Sequence, residues 1–207
     1  MARPRRKTAA GLSLLALASL TAAVPFLLPR GLCPPTGAAL WPSRREFMRL
    51  KNRDAAPSPG DFDGRVSLEA LLRPGEDRAR WDESRAGRVE GYVVEVEEAG
   101  AEVANCFSYR ERDTHVSVAP RADAPRAEWV VVEVTPRARA RARAEGRDWV
   151  AAALRRELIG RRCRFEGWLL FDREHAGESE NTAPGARGNW RATAWELHPV
   201  TAVEVLR

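Results

Sequence analysis

Each of the three histidines stands beside a carboxylate: Asp113-Thr114-His115, Asp172-Arg173-Glu174-His175 and Glu196-Leu197-His198. On an extended chain, positions i and i+2 point the same way, so Asp113 lies beside His115 and Glu196 beside His198. Glu133 breaks the otherwise apolar run Val130 to Val134. A neutral imidazole offers a lone pair, and a neighbouring carboxylate either binds an ion or orients the ring through its second nitrogen. These residue types suit a nitrogen/oxygen site for a divalent metal, drawn from His115, His175 and His198 with Asp113, Asp172, Glu174 or Glu196. With an open coordination position, such a site would activate water for hydrolysis. The simpler expectation is that each pair braces a strand end by hydrogen bonding. No HExxH, paired CxxC or EF-hand loop decides between them.

Aromatic rings offer a second chemistry. Trp168 alternates with Phe165, Leu169 and Phe171 and is expected to face outward, and Trp190 stands in a polar stretch. Exposed rings stack on sugars or bases; alternatively both tryptophans cover the ends of the fold or pack with Trp81 against the preceding segment. Nucleophilic and nucleotide chemistry find no support, because GxSxG, GxGxxG and the P-loop are all absent.

These side chains need a scaffold, and the pattern supplies mostly strands. Val89 to Val96 is β-branched and aromatic, with Gly91 near its start where a barrel strand bends. Thr114 to Val118 alternates, with Thr114, Val116 and Val118 on one face and His115 and Ser117 on the other. Trp129 to Thr135 is a third strand, closed by Pro136. Arg137 to Arg143 is read as low-complexity sequence without a function of its own. Asp148 caps a helix whose stripe is Trp149, Val150, Ala153, Leu154 and Leu158, ended by Gly160. Cys163 to Phe171 is a fourth strand, and Thr193 to Val205 a fifth that bends at Pro199. Ahead of them, Ser67 caps a short helical turn stopped by Pro74-Gly75.

The order β-β-β-α-β-β, mainly β with one helix, is that of an OB-type five-stranded barrel; a small α+β sandwich is the rival. In the barrel, residues 97–113 and 172–192 form the two loops that border the usual ligand face. The expected site then gathers Asp113, His115, Glu133, Asp172, Glu174, His175, Trp190, Glu196 and His198 on one rim.

The 207 residues suffice for one ordinary domain with extensions. The 44% hydrophobic and 30% charged content is that of a folded chain. Its net charge of +5 is unevenly placed. Residues 1–53 carry ten Lys/Arg and one acid, a charge of +9, while residues 54–207 carry 24 Arg against 28 acids, a charge of −4. A folded part that is slightly acidic argues against a protein that works by neutralising phosphates.

The basic Met1 to Lys7 is followed by 20 uncharged residues, Ala9 to Leu28, enough for roughly 30 Å of helix. Residues 1–30 are therefore read as a cleaved signal peptide, with Thr21-Ala22-Ala23 as its cleavage site, or as an uncleaved membrane anchor, which the length favours. Either way the basic end stays in the cytoplasm and the remainder is exported, anchored at the inner membrane on its outer side or secreted. Residues 31–65, rich in Pro, Arg and Gly, read as a tether; 66–84 as a short helical lead-in; 85–207 as the barrel domain. Cys106 and Cys163 can pair in such a compartment and leave Cys33 over; alternatively Cys163 is a small buried residue on a strand.

The passage Gly160-Arg-Arg-Cys-Arg-Phe-Glu-Gly167 resembles the opening of the fourth strand in bacterial OB domains. The stretches Asn105-Cys106 to His115, Val130 to Pro136, Gly167 to His175 and Asn189 to Thr201 are similar to a group of exported bacterial proteins without an assigned function. That resemblance, over about residues 85–207, implies fold and compartment and no catalytic residue. The expected role is binding or structural, with a metal-dependent hydrolase as the alternative. A divalent metal is the one cofactor the residues suit. The membrane and a peptide, glycan or protein are the expected partners, and nucleic acid is not.

Overall fold

The computed structural model describes residues 33–207. The apolar run Ala9 to Leu28 lies outside them, and among the described residues no helix is long and apolar enough to cross a membrane. Five strands close into a barrel: β1 (Ala86–Glu98), β2 (Thr114–Ala119), β3 (Val130–Val134), β4 (Arg162–Phe171) and β5 (Trp195–Val205), in the order β1-β2-β3-β5-β4. All neighbours are antiparallel except β3 and β5, which run parallel through the register Val132↔Leu197. The expected mainly-β class is what the chain adopts, as a closed barrel and not a sandwich.

Alternation sorts the strands. Val116, Val118, Val130, Val132, Val134, Phe165, Leu169, Trp195 and Leu197 fill the barrel interior together with Val89, Val93 and Val96. Their sequence neighbours His115, Ser117, Val131, Glu133, Leu170, Glu196 and His198 therefore point outward from the barrel wall. Most of these outward residues are nevertheless buried, because something covers them.

Part of the cover is residues 33–52. Expected as a tether, they form α1 (Pro42–Lys51) and dock on the barrel. Pro42 suits the first turn, Arg49 and Lys51 suit the last, and Phe47 and Met48 face the domain. Phe47 and Met48 pack with Ala104 and with Leu170 on the outer face of β4. Cys33 is disulfide-bonded to Cys106. This replaces the expected Cys106–Cys163 bridge; Cys163 is a free, buried side chain on β4. The sequence hides the pairing because Cys33 stands 73 positions from Cys106, in a segment whose composition resembles a linker.

The arginine repeat is likewise structured. α3 (Pro136–Ala144) starts at Thr135, whose hydroxyl accepts from Ala138 N–H, and buries Ala138 and Ala142 one turn apart. Ala and Arg are strong helix formers, so an alternating Ala/Arg run becomes a helix once started. Its arginines hold the cover: Arg137 donates to the Cys33 carbonyl at 2.7 Å, and Arg141 to the Asp54 carbonyl. A second helix, α4 (Ala151–Leu158), follows, so two helices and not one separate β3 from β4. Val150 is its exposed N-cap and not part of the buried stripe; Asp148 accepts from the Val150 N–H.

The lead-in also joins the domain. Ser67 caps α2 (Leu68–Leu72) by accepting from Ala70 N–H. Asp77, buried, accepts from Thr193 at 2.6 Å and Asn181 at 2.7 Å, and its carbonyl accepts from the Trp195 indole.

Candidate functional site

The site grows from three adjacent strands. Antiparallel pairing of β2 and β3 sets His115 opposite Glu133. The parallel pairing of β3 and β5 brings Glu133 alongside Glu196 and His198. All four point outward; Lys51 at the end of α1 approaches Glu133 and Glu196, whereas His115 lies against Trp190. The expected rim is thus a buried layer between the barrel wall and its cover.

His198 is at the centre and has no exposed surface. Its Nδ1 lies 3.0 Å from Glu196 Oε1 and 3.1 Å from Glu133 Oε2, and its Nε2 lies 3.9 Å from Asp113 Oδ2. Asp113 Oδ1 accepts from Asn105 at 3.1 Å. Glu133 Oε1 lies 3.1 Å from His115 Nε2. One ligating atom each from Asp113, Glu133 and His198 falls within 4.8 Å of the other two.

Arg191 and Lys51 complete the layer, and the sequence reading missed both. Arg191, 1% exposed, bridges Glu196 Oε2 at 3.2 Å and Asp172 Oδ2 at 3.4 Å. Lys51, at the end of α1, reaches Glu102 Oε2 at 2.8 Å. Arg191 carried no signal among many arginines, and Lys51 sat in a segment that lacked a sustained period. Asp172 also pairs with His175 Nδ1 at 2.5 Å. Glu174 stands apart, paired with Arg44 at the surface.

Trp190 roofs the solvent side. Its ring lies parallel to His115, with centroids 6.5 Å apart, and meets His175 edge-on. The Arg191 guanidinium sits over the Trp190 ring, 5.2 Å from its centroid, and the Trp190 indole donates to Glu178 at 2.6 Å. Trp168 faces outward on β4, but Arg53 covers its ring and the Ala55 carbonyl accepts from its indole at 2.8 Å.

The electrostatics follow from crowding carboxylates out of water. Burial favours neutral imidazoles, yet Glu133 and Glu196 outweigh it and raise His198 to about 10; Glu133 raises His115 to about 9 in the same way. Burial lifts Asp113 to about 6 against the pull of His198, and lifts Glu196 as well, helped by Glu133 and Asp172. Glu133 stays well below the usual carboxylate range because His115 and His198 overcome its burial. Burial pushes Lys51 down, but Glu133, Glu102, Asp113 and Glu196 more than restore it. The layer is thus a dense set of charges compensated within itself.

Fold and site together define a closed five-stranded barrel with a histidine–carboxylate layer sealed against its outer wall. No family model, curated protein or solved structure matches the chain.

Proposed function

We propose that the chain is an exported OB-type barrel domain, held on the outer side of the inner membrane by its N-terminal apolar segment, with a binding or structural role. The observation that carries this reading is the Cys33–Cys106 disulfide, since such bonds persist in oxidising compartments. The strand order, with parallel β3 and β5 closing the barrel and helices between β3 and β4, supports the OB assignment. Resemblance to exported bacterial proteins and the basic n-region support the compartment.

The ligand is a peptide, glycan or protein surface, taken by the half-buried edge where Trp190, His115 and His175 meet. The acidic balance of residues 54–207 speaks against nucleic acid. A metal-dependent hydrolase draws less support, because Asp113, Glu133 and His198 are at most 2% exposed and a substrate would have to reach them.

The test is fractionation of cells that express the full chain, combined with thiol counting in denaturant. The chain is expected in the membrane fraction, accessible to protease only from the outer side, with Cys163 as its one reactive thiol. A soluble cytoplasmic chain with all three thiols reduced would overturn the proposal.

A further inference from the structure

We propose that Asp113, Glu133 and His198 bind one divalent first-row transition-metal ion, a structural centre that ties the end of the β1–β2 loop, to which the cover is disulfide-bonded, to β3 and β5 of the barrel wall. The ligand set differs from the one the sequence suggested: Glu133 enters, while His115 and His175 act beside it.

Three observations converge. The first is proximity, with ligating atoms from all three residues within 4.8 Å of one another. Two ligands held at ~2.1 Å in a tetrahedral site lie ~3.4 Å apart, so the 3.9 Å between His198 Nε2 and Asp113 Oδ2 needs a closure of about half an ångström.

The second is the pattern of orphaned atoms. Among the described residues, Asp113 Oδ2 and His198 Nε2 are buried without a hydrogen-bond partner, as is His115 Nε2, and Glu133 Oε2 has only the His198 ring beside it, at 3.1 Å and out of hydrogen-bonding geometry. Each residue spends its other atom on an orienting contact: Asp113 Oδ1 on Asn105, Glu133 Oε1 beside His115, and His198 Nδ1 on Glu196. A ring that donates from Nδ1 to a carboxylate turns the lone pair of Nε2 outward, the arrangement that orients metal-bound histidines. Buried polar atoms left unsatisfied are costly, and a shared cation would satisfy Asp113 Oδ2, Glu133 Oε2 and His198 Nε2 at once.

The third is charge. Asp113, Glu133, Glu196, Glu102 and Asp172 are balanced by Lys51 and Arg191 together with protonated His115, His175 and His198. A divalent ion would take the place of the His198 proton and keep the layer compensated with that imidazole neutral. Two carboxylates, one imidazole and no thiolate suit Zn²⁺, Mn²⁺ or Fe²⁺ over Cu⁺. With its ligands at most 2% exposed, the ion holds the layer together and does not meet substrate.

The test uses the full chain in detergent, stripped with chelator and then given Zn²⁺, Mn²⁺ or Co²⁺ alone. About one equivalent should bind, and melting temperature should rise by several degrees, because an ion bound only by the native state stabilises it. Asp113→Asn and His198→Gln should abolish uptake. If those variants fail to fold, X-ray absorption of the Co²⁺-loaded wild type decides: one imidazole among oxygen ligands supports the site, whereas sulfur ligation or several imidazoles overturns it. A folded wild type that takes up none of the three ions also overturns it, leaving the charge to protonated histidines. Uptake that survives both substitutions places the ion elsewhere and does the same. None of these outcomes depends on where the protein resides, so the metal and the export readings fail separately.

Discussion

Lys51 Nζ lies 2.8 Å from Glu102 Oε2 with 2% of the side chain exposed, so a charged end of the cover is buried against the loop between β1 and β2. A lysine is taken out of water only where carboxylates compensate it, and here Glu133, Asp113 and Glu196 add to Glu102. The contact makes α1 part of the domain and ties its position to the charge of the layer beneath.

Lys51→Met keeps the apolar stem and deletes the ammonium, leaving buried carboxylates short of a cation. Loss of one partner from a buried pair costs about 3–5 kcal/mol, or roughly 10 °C in a domain of this size. Urea unfolding monitored by tryptophan fluorescence should show it, and Lys51→Met with Glu102→Gln should recover part of the loss. A change below about 1 kcal/mol, the range of exposed pairs, would mean that the ammonium is solvated.

The Cys33–Cys106 bond closes a loop of 73 positions. In the chain-entropy description such a loop is worth about 4 kcal/mol through restriction of the unfolded chain. Cys33→Ser should lower stability by up to that amount and release α1 first, visible as faster hydrogen exchange across Pro42–Lys51 than across β3. Cys163→Ser should retain the Cys33–Cys106 peptide in the non-reducing map; a Cys106–Cys163 peptide in the wild-type map would refute the pairing.

The barrel was legible because its strands alternate: Val116/Val118, Val130/Val132/Val134 and Phe165/Leu169 mark the interior face without reference to the rest of the chain. Glu133 was legible as an anomaly within an apolar strand. The partners of the layer were not. Lys51 and Arg191 reach it through contacts across the chain, and local pattern does not encode which of many basic residues is buried. The cover was misread for a related reason. Pro-rich composition marks segments that fail to form long elements, yet Phe47 and Met48 on a helix of ten residues and one disulfide suffice to dock it.

The Asp172–His175 contact should give a measurable pH signature. Burial pushes Asp172 up, but the hydrogen bond with His175 and the charge of Arg191 outweigh it and hold the carboxyl at about 2. The same bond to Asp172, against burial, raises His175 above the usual imidazole range. On the acid side, the depressed carboxyl contributes fully above its unfolded value, about 3.9, and the contribution fades as pH falls toward 2. On the basic side, the raised imidazole contributes fully below about 6.5, and the contribution is lost as pH rises through its folded value. The stability difference between wild type and His175→Ala should therefore be greatest between about pH 4 and 6.5 and shrink on both sides. A difference flat from pH 2 to 9 would show that His175 contributes by packing on Trp190 alone.

Gly167 marks a close approach of β4 to β5. It pairs with Val200 between two register shifts of β4 against β5. A methyl there would stand 2.5 Å from the Pro199 carbonyl oxygen, 3.1 Å from Val200 Cα and 3.2 Å from Leu197 Cβ. Two of these atoms are backbone in the strand that carries Glu196 and His198, so no side chain can swing aside to relieve the clash. Gly167→Ala should cost about 1–3 kcal/mol, the usual range for overpacking, and should displace β5 relative to β3, changing the environment of His198. Gly100→Ala is the matched control, since a methyl there meets nothing within 4 Å, and its effect should stay within about 0.5 kcal/mol. Thermal unfolding compares the two, and the His198 imidazole resonances report on the strand shift. If Gly167→Ala were as mild as Gly100→Ala, the close approach of β4 to β5 at Pro199 would not exist in solution.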